Sequence, residues 1–175
     1  MTFKTVFAGA GALLTAGAAH AGQVQISIDL PQASLAEYHR PYVAGWIETA
    51  AGQPAGADGG AVFVWYDQRK PNNGGAKWLS DLRTWWRKSG RTLNLPMDGL
   101  SGATRAPGRQ TLTLESGASA FKTLPPGAYQ FVVEAARENG GHSLVKAPFV
   151  WNGKAFSATA ATTGELGAVS LAYRP

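Results

Sequence analysis

The sequence predicts a mainly β chain: an antiparallel two-sheet sandwich carrying one amphipathic helix at about residues 76–89. Three observations lead there. Short segments alternate apolar and polar residues with a period of two, the mark of a half-buried strand. Clusters of Gly, Pro, Asn and Asp separate them at close intervals. Apolar residues make up 45% of the 175-residue chain and charged residues 15%, which excludes a disordered tail and a coiled coil.

Residues 1–21, MTFKTVFAGAGALLTAGAAHA, read as an export signal. Lys4 is a short positive lead, Val6 to Ala18 is apolar, and Ala19-His20-Ala21 fits the small-x-small cleavage pattern. The apolar stretch is short for a membrane span. The expected mature protein is one domain over residues 22–175, beginning at Gly22 and located in the periplasm. The chain has no cysteine, so a Cys-ligated metal site, a disulfide framework and a cysteine nucleophile are excluded.

The first strand follows, with Val24, Ile26, Ile28 and Leu30 on one face, and Pro31 ends it. Tyr42–Thr49 and Ala61–Asp67 are the next strands, separated by the loop AAGQPAGADGG. In the helix, Trp78, Leu82 and Trp85 lie at i, i+4 and i+7, with Leu79 and Trp86 beside them. Arg87 and Lys88 suit a helix C-terminus, and Gly90 suits a cap. Arg109–Glu115 alternates again. Tyr129, Phe131, Val133 and Ala135 share a face of a later strand, and Ser143–Trp151 and Ala168–Tyr173 complete the set. The phrase LPPGAYQFVVEA, with its Pro-Gly entry and inward Tyr129, resembles a late strand of immunoglobulin-like and fibronectin-like sandwiches.

Charge is concentrated in one region. From Arg69 to Arg109 there are nine Lys/Arg against two acids. Such a segment attracts anions. Export argues against nucleic acid, and a phosphate-bearing cofactor or an anionic chelate fits better. A plainly solvated cationic surface is the other reading of such a cluster. No Gly-x-Ser-x-Gly elbow is present, and no pair among Glu48, Asp67, Glu134 and Glu138 stands out as glycosidase carboxylates.

After the helix comes Met97-Asp98-Gly99-Leu100-Ser101-Gly102-Ala103-Thr104-Arg105-Ala106-Pro107-Gly108. Its small residues and turn signals predict a pliable loop with an open threonine hydroxyl. It resembles the acceptor sequence of proteins that receive FMN covalently, in which Asp-Gly-x-Ser-Gly-Ala-Thr recurs. The resemblance implies a Mg²⁺-dependent FAD:protein FMN transferase as partner. It also implies a phosphoester from FMN to Thr104, with Asp98, Gly99, Ser101, Gly102 and Ala103 as the recognition frame. Arg105 departs from the small hydroxyl residue common at the next position.

A wider resemblance rests on Tyr38-His39-Arg40-Pro41-Tyr42-Val43-Ala44, Lys77-Trp78-Leu79, Asp81-Leu82-Arg83-Thr84-Trp85-Trp86, the Asp98–Arg105 segment and Glu134-Ala135-Ala136-Arg137-Glu138. Together these are similar to the predicted periplasmic family called domain of unknown function 2271. That resemblance implies an electron carrier working with a PepSY-type membrane redox protein and with ferric chelates. No catalytic activity follows from it. For a flavin, Trp86 or Tyr66 is the expected stacking face, with Trp46, Trp65 and most of the helix stripe in the core. His39 is a candidate flavin or partner contact. Arg40, Arg83, Arg105 and Arg109 are candidates for the phosphate or the anionic edge of the ring. Arg137 and Glu138 are expected to pair. Two His and no Cys argue against a structural zinc site. Two function classes remain open: an FMN-bearing electron carrier, and a non-redox binding module for a partner protein or an anionic metal chelate.

Overall fold

The computed structural model describes residues 22–34, 37–138 and 140–175. The proposed export signal lies outside them. Nine strands occur among the described residues: β1 (Gln23–Leu30), β2 (Tyr42–Thr49), β3 (Ala61–Tyr66), β4 (Ser101–Ala103), β5 (Gly108–Glu115), β6 (Gly127–Ala136), β7 (His142–Trp151), β8 (Phe156–Ala161) and β9 (Ala168–Arg174). They form a four-stranded sheet, β5-β1-β9-β8, and a five-stranded sheet, β4-β3-β2-β6-β7. The result is a sandwich, as expected.

The expected antiparallel order holds for every pair but one. β4 runs parallel to β3, with Val64 opposite Ser101, Trp65 opposite Gly102 and Tyr66 opposite Ala103. Parallel neighbours need a long crossover. Here residues 67–100, which include the helical turns, provide it. The predicted loop around Ser101 is therefore an edge strand. Its small residues have low strand propensity and carry no alternating pattern. β8, written FSATAA, escapes a pattern reading for the same reason.

The core is double. Val24, Ile26 and Ile28 of β1 meet Val43, Phe131 and Val133 between the sheets. A second cluster lies on the outer face of the five-stranded sheet. There Ala44, Trp46, Val64, Tyr66 and Val132 pack under Leu79, Leu82 and Trp85. The central strands β2, β3 and β6 are thus covered on both faces, and β3 is buried at all six residues, AVFVWY. At the entry to β6, the Tyr129 hydroxyl donates to the Pro125 carbonyl at 2.9 Å, which fixes the corner of the sandwich.

The helix differs most from expectation. In place of one helix over 76–89, 3₁₀ turns span Pro71–Asp81, and the backbone breaks at Leu82 (φ −75°, ψ 70°). A short α-helix, α1 (Arg83–Lys88), follows. The cause is a carboxylate on another element. Glu134 of β6 is fully buried. Its oxygens accept the Thr84 N–H at 2.9 Å and the Trp85 N–H at 2.7 Å. In a continuous helix those donors would serve carbonyls four residues back. Leu82, at the N-cap, makes no side-chain cap bond, so Glu134 caps α1 from outside. The buried residues then fall at a spacing of three: Leu79, Leu82 and Trp85. Trp78, expected on that stripe, is turned outward and is 38% exposed. Gly90 is not a left-handed cap. A Cβ there would stand 2.5 Å from the Trp85 ring, so glycine permits that close approach.

A second buried carboxylate pins the other end of α1. Glu48 accepts from Trp46 Nε1 at 2.8 Å, from Lys146 Nζ at 3.2 Å and from Lys88 Nζ. Burial alone raises the pKa of Glu48. The bonds from Lys88, Trp46 and Lys146 outweigh it and hold the group below its ordinary 4.5. Arg137 pairs with Glu165 rather than with the expected Glu138. Its Nη2 and Nε lie 2.8 and 2.9 Å from the two carboxylate oxygens of Glu165.

Candidate functional site

Strand direction gathers the site. β2 starts, and β3, β4 and β6 finish, at the same end of the five-stranded sheet. The residues at those ends therefore converge. Tyr38–Arg40 lead into β2, Asp67–Lys70 leave β3, Thr104 follows β4, and Ala136 and Glu138 close β6. The 3₁₀ turns fold back over this end and add Trp78 and Asp81. Together these residues line a cleft of about 490 Å³, a size typical of small-molecule sites.

The roof is tied to the sheet by polar bonds. The Tyr42 hydroxyl donates to the Gly75 carbonyl at 3.1 Å, and that of Tyr66 donates to Asn73 Oδ1 at 3.2 Å. Asn73 Nδ2 in turn donates to the Leu95 carbonyl. A Cβ on Gly75 would lie 1.9 Å from the Asp67 carbonyl oxygen, so this contact excludes any other residue. Asn72 and Asn73 both take φ of 53°, a conformation asparagine tolerates better than most side chains.

The cleft is balanced in charge. Arg40, Arg69, Lys70 and His39 face Asp67, Asp81 and Glu138. His39 Nε2 lies 3.2 Å from Glu37, and its Nδ1 lies 4.0 Å from Glu138. Arg69 sits 3.5 Å from Asp67. Burial raises the Tyr38 phenol above its ordinary 10, and the Glu165 charge adds to this. Burial also raises Tyr42, with the charges of Asp67, Glu138 and Asp81 adding to it against the lowering effect of a backbone bond at Asp67. Both hydroxyls are donors at neutral pH. Trp78 is the aromatic face at the rim. Lys77 Nζ lies 5.0 Å and Lys70 Nζ 5.9 Å from its ring centre.

Of the residues singled out from sequence, Thr104, His39 and Arg40 meet in this cleft. Thr104 is half-buried, not fully open. Asp98 and Gly99 form an exposed turn before it, with Gly99 at φ 75°. Ser101 Oγ accepts the Met97 N–H at 3.0 Å, closing that turn. Gly102 faces the Trp65 ring, where a Cβ would stand 3.0 Å from Cδ1. Ala103 is exposed opposite Tyr66.

Others lie elsewhere. Arg105 places its guanidinium 5.2 Å above Trp65. Arg109 pairs with Asp29 at 3.1 Å, across β5 and β1 of the other sheet. Arg83 and Arg87 are exposed on α1 and do not line the cleft. Trp86 is half-buried against the outer core. Tyr66, expected as a stacking face, is fully buried, because the 3₁₀ turns cover the outer side of β3. Trp78, Asp67, Arg69, Lys70 and Asp81 were not foreseen as site residues. The one local signal was Pro71-Asn72-Asn73-Gly74-Gly75, a turn sequence just before the expected helix start.

Among the described residues no group of three or more His, Asp or Glu is placed to hold a metal ion. Among them, too, no helix is long and apolar enough to cross a membrane.

Fold and site together define a two-sheet sandwich with a helical outer layer and a threonine-bearing cleft at one sheet end. The chain belongs to the family described as "Predicted periplasmic protein (DUF2271)", whose model matches residues 23–168. None of the curated proteins and none of the solved structures matches it.

Proposed function

We propose that this protein is a periplasmic electron carrier with FMN attached through a phosphoester to Thr104. The observation that carries the reading is the position of Thr104: the last residue of the acceptor-like sequence lines the cleft. In attachment, the Thr104 Oγ1–phosphorus bond forms as the pyrophosphate bond of FAD breaks. AMP leaves, and the hydroxyl proton passes to base in the transferase site.

The cleft suits the group. Its volume is in the small-molecule range, and Trp78 offers an exposed aromatic face. Arg40 and Lys70 are cations without an ion pair among the described residues, and both line the cleft beside Thr104. They would neutralise the phosphate. The Tyr38 hydroxyl would donate a hydrogen bond, while that of Tyr42 stays on the Gly75 carbonyl and Asp67 keeps Arg69 beside it. When bound, the flavin supplies one- and two-electron transfer, and the chain supplies attachment, orientation and field. The electron source in this reading is a PepSY-type membrane protein, and the acceptor is a ferric chelate or another periplasmic partner.

Cleavage after Ala21 belongs to the same proposal. Gly22 is seated against the Tyr173 ring, and its carbonyl accepts the Ser116 N–H at 2.6 Å.

The balanced charge of the cleft favours a second reading, a binding module for a zwitterionic or neutral small molecule with no flavin. Co-expression with an FMN transferase separates the two. The carrier reading predicts a yellow protein with one covalent flavin, and a colourless Thr104→Ala variant. A colourless wild-type protein, produced beside a transferase that modifies a control substrate, overturns it.

A further inference from the structure

The site poses a steric problem. A cleft of about 490 Å³ admits a small molecule. It does not admit the active site of a second protein, since a specific protein interface takes roughly 20 residues from each partner. Thr104 lines that cleft, with walls from β2, β3, β6 and the 3₁₀ turns around it.

The segment carrying Thr104 is lightly attached. β4 is three residues long and occupies the edge of its sheet. Its other holds are the bonds from the Ser101 N–H to the Met97 carbonyl at 2.9 Å and from the Met97 N–H to Ser101 Oγ, the Arg105 guanidinium over Trp65, and a bond from Gln110 Nε2 to the Ala106 carbonyl at 2.9 Å. Gly99 and Gly108 bracket it. Both have positive φ, 75° and 109°. At each, nothing lies within 4 Å of where a Cβ would be. Two glycines in open space, at backbone angles other residues resist, make hinges. Leu100, 7% exposed in the outer core, anchors the segment at its root. A short, exposed edge element of this kind is drawn from the low end of local stability.

We infer that residues 101–107 are a hinged flap. It leaves the edge of β3 spontaneously, offers Thr104 to the transferase as an extended, unpaired strand, and on closing carries the attached group into the cleft. This rests on the FMN reading above and adds the conformation in which the chain is modified. It also gives the modification a direction. The open flap is the substrate, and contacts of the seated group with the cleft stabilise the closed one. FAD is the co-reactant and AMP the product, as in the step already written.

A reversible staple tests this. Val64 and Ser101 are opposed across β3 and β4. Neighbouring strands lie about 4.8 Å apart, within reach of a disulfide. The chain has no cysteine of its own, so a Val64→Cys/Ser101→Cys pair forms a single bridge. The full mature chain is incubated with transferase, Mg²⁺ and FAD, and adduct formation is followed by intact mass. The oxidised variant should be modified at least about tenfold more slowly than the same variant reduced with dithiothreitol, so that the substitution at Ser101 is common to both arms. Equal rates for the oxidised and reduced variant overturn the flap and leave the FMN reading standing. A wild-type chain that takes no adduct overturns the FMN reading, and the flap with it. Amide exchange on the wild-type chain gives an independent readout that needs no substitution. Gly102 and Ala103 should exchange at least about tenfold faster than Ala44 and Trp46 in the middle of β2, and should slow once FMN is attached. Equal protection before modification contradicts the flap.

Discussion

Replacing Glu134 by glutamine should destabilise the fold far more than any single exposed acid would. The carboxylate is fully buried and accepts from the Thr84 N–H and the His142 Nε2 on one oxygen, and from the Trp85 N–H on the other. An amide keeps one oxygen and turns an NH₂ group toward a donor at the other position. At least one buried N–H then loses its acceptor, at a cost of about 1–3 kcal/mol, and the charge assistance to the remaining bonds falls as well. The sum is about 2–4 kcal/mol. For a chain of this length that lowers Tm by roughly 5–15 °C. Glu134→Ala removes both acceptors and leaves a void, so it should cost more. The assay is thermal unfolding of the mature chain by circular dichroism, with Glu115→Gln on exposed β5 as the control, expected within about 0.5 kcal/mol of wild type. The same variant should loosen the cleft, because Trp78 and Asp81 lie just before the capped turn. A Glu134→Gln protein as stable as the control would refute the external cap and, with it, the explanation of the broken helix.

Three further outcomes follow from the geometry. Glu48 titrates below its ordinary 4.5 in the folded chain, so its stabilisation is complete above that pH and is lost as pH falls through the lowered folded value. Tm measured against pH should therefore drop more steeply below about 4.5 in wild type than in Glu48→Gln, and parallel curves would contradict the pairing with Lys88 and Lys146. Tyr129→Phe removes the bond to the Pro125 carbonyl and should cost about 1 kcal/mol, or roughly 2–4 °C in Tm, without changing the circular dichroism spectrum. Trp78→Ala should leave Tm within about 2 °C of wild type, since the ring belongs to neither core cluster, yet should at least double the fluorescence of an attached flavin by removing its stacking partner. Unchanged fluorescence would place the ring system elsewhere.

Much of the sandwich was legible in the residues. β1, β5, β7 and β9 alternate because one face of each meets the core and the other meets solvent. Tyr129 announced the corner entering β6. β4 and β8 were not legible, since Ser, Gly and Ala carry neither bulk nor alternation. The broken helix was hidden for a different reason. The group that breaks it, Glu134, lies 50 residues from Thr84 and acts through tertiary contact. That one error misplaced the aromatic face of the site. A continuous helix buries Trp78 and leaves Trp86 or Tyr66 to stack, whereas the capped, broken one turns Trp78 into the cleft rim and seals Tyr66 beneath. Thr104 and His39 could be named because short motifs carry them. Asp67, Arg69 and Lys70 could not, because strand direction alone brings them to one end of the sheet, and Asp81 reaches it only through the 3₁₀ turns that fold back over that end.

The central claim is the bond to Thr104, and peptide mass mapping tests it most directly. Trypsin cuts after Arg91 and Arg105, so Thr104 falls in the single peptide of residues 92–105. After incubation of the mature chain with transferase, Mg²⁺ and FAD, that peptide should carry one FMN phosphoryl group, with fragment ions placing it on Thr104. Thr104→Ala should remove the adduct, and Ser101→Ala should keep it. An unmodified 92–105 peptide beside a transferase active on its control substrate, or an adduct located on Ser101, would contradict the account.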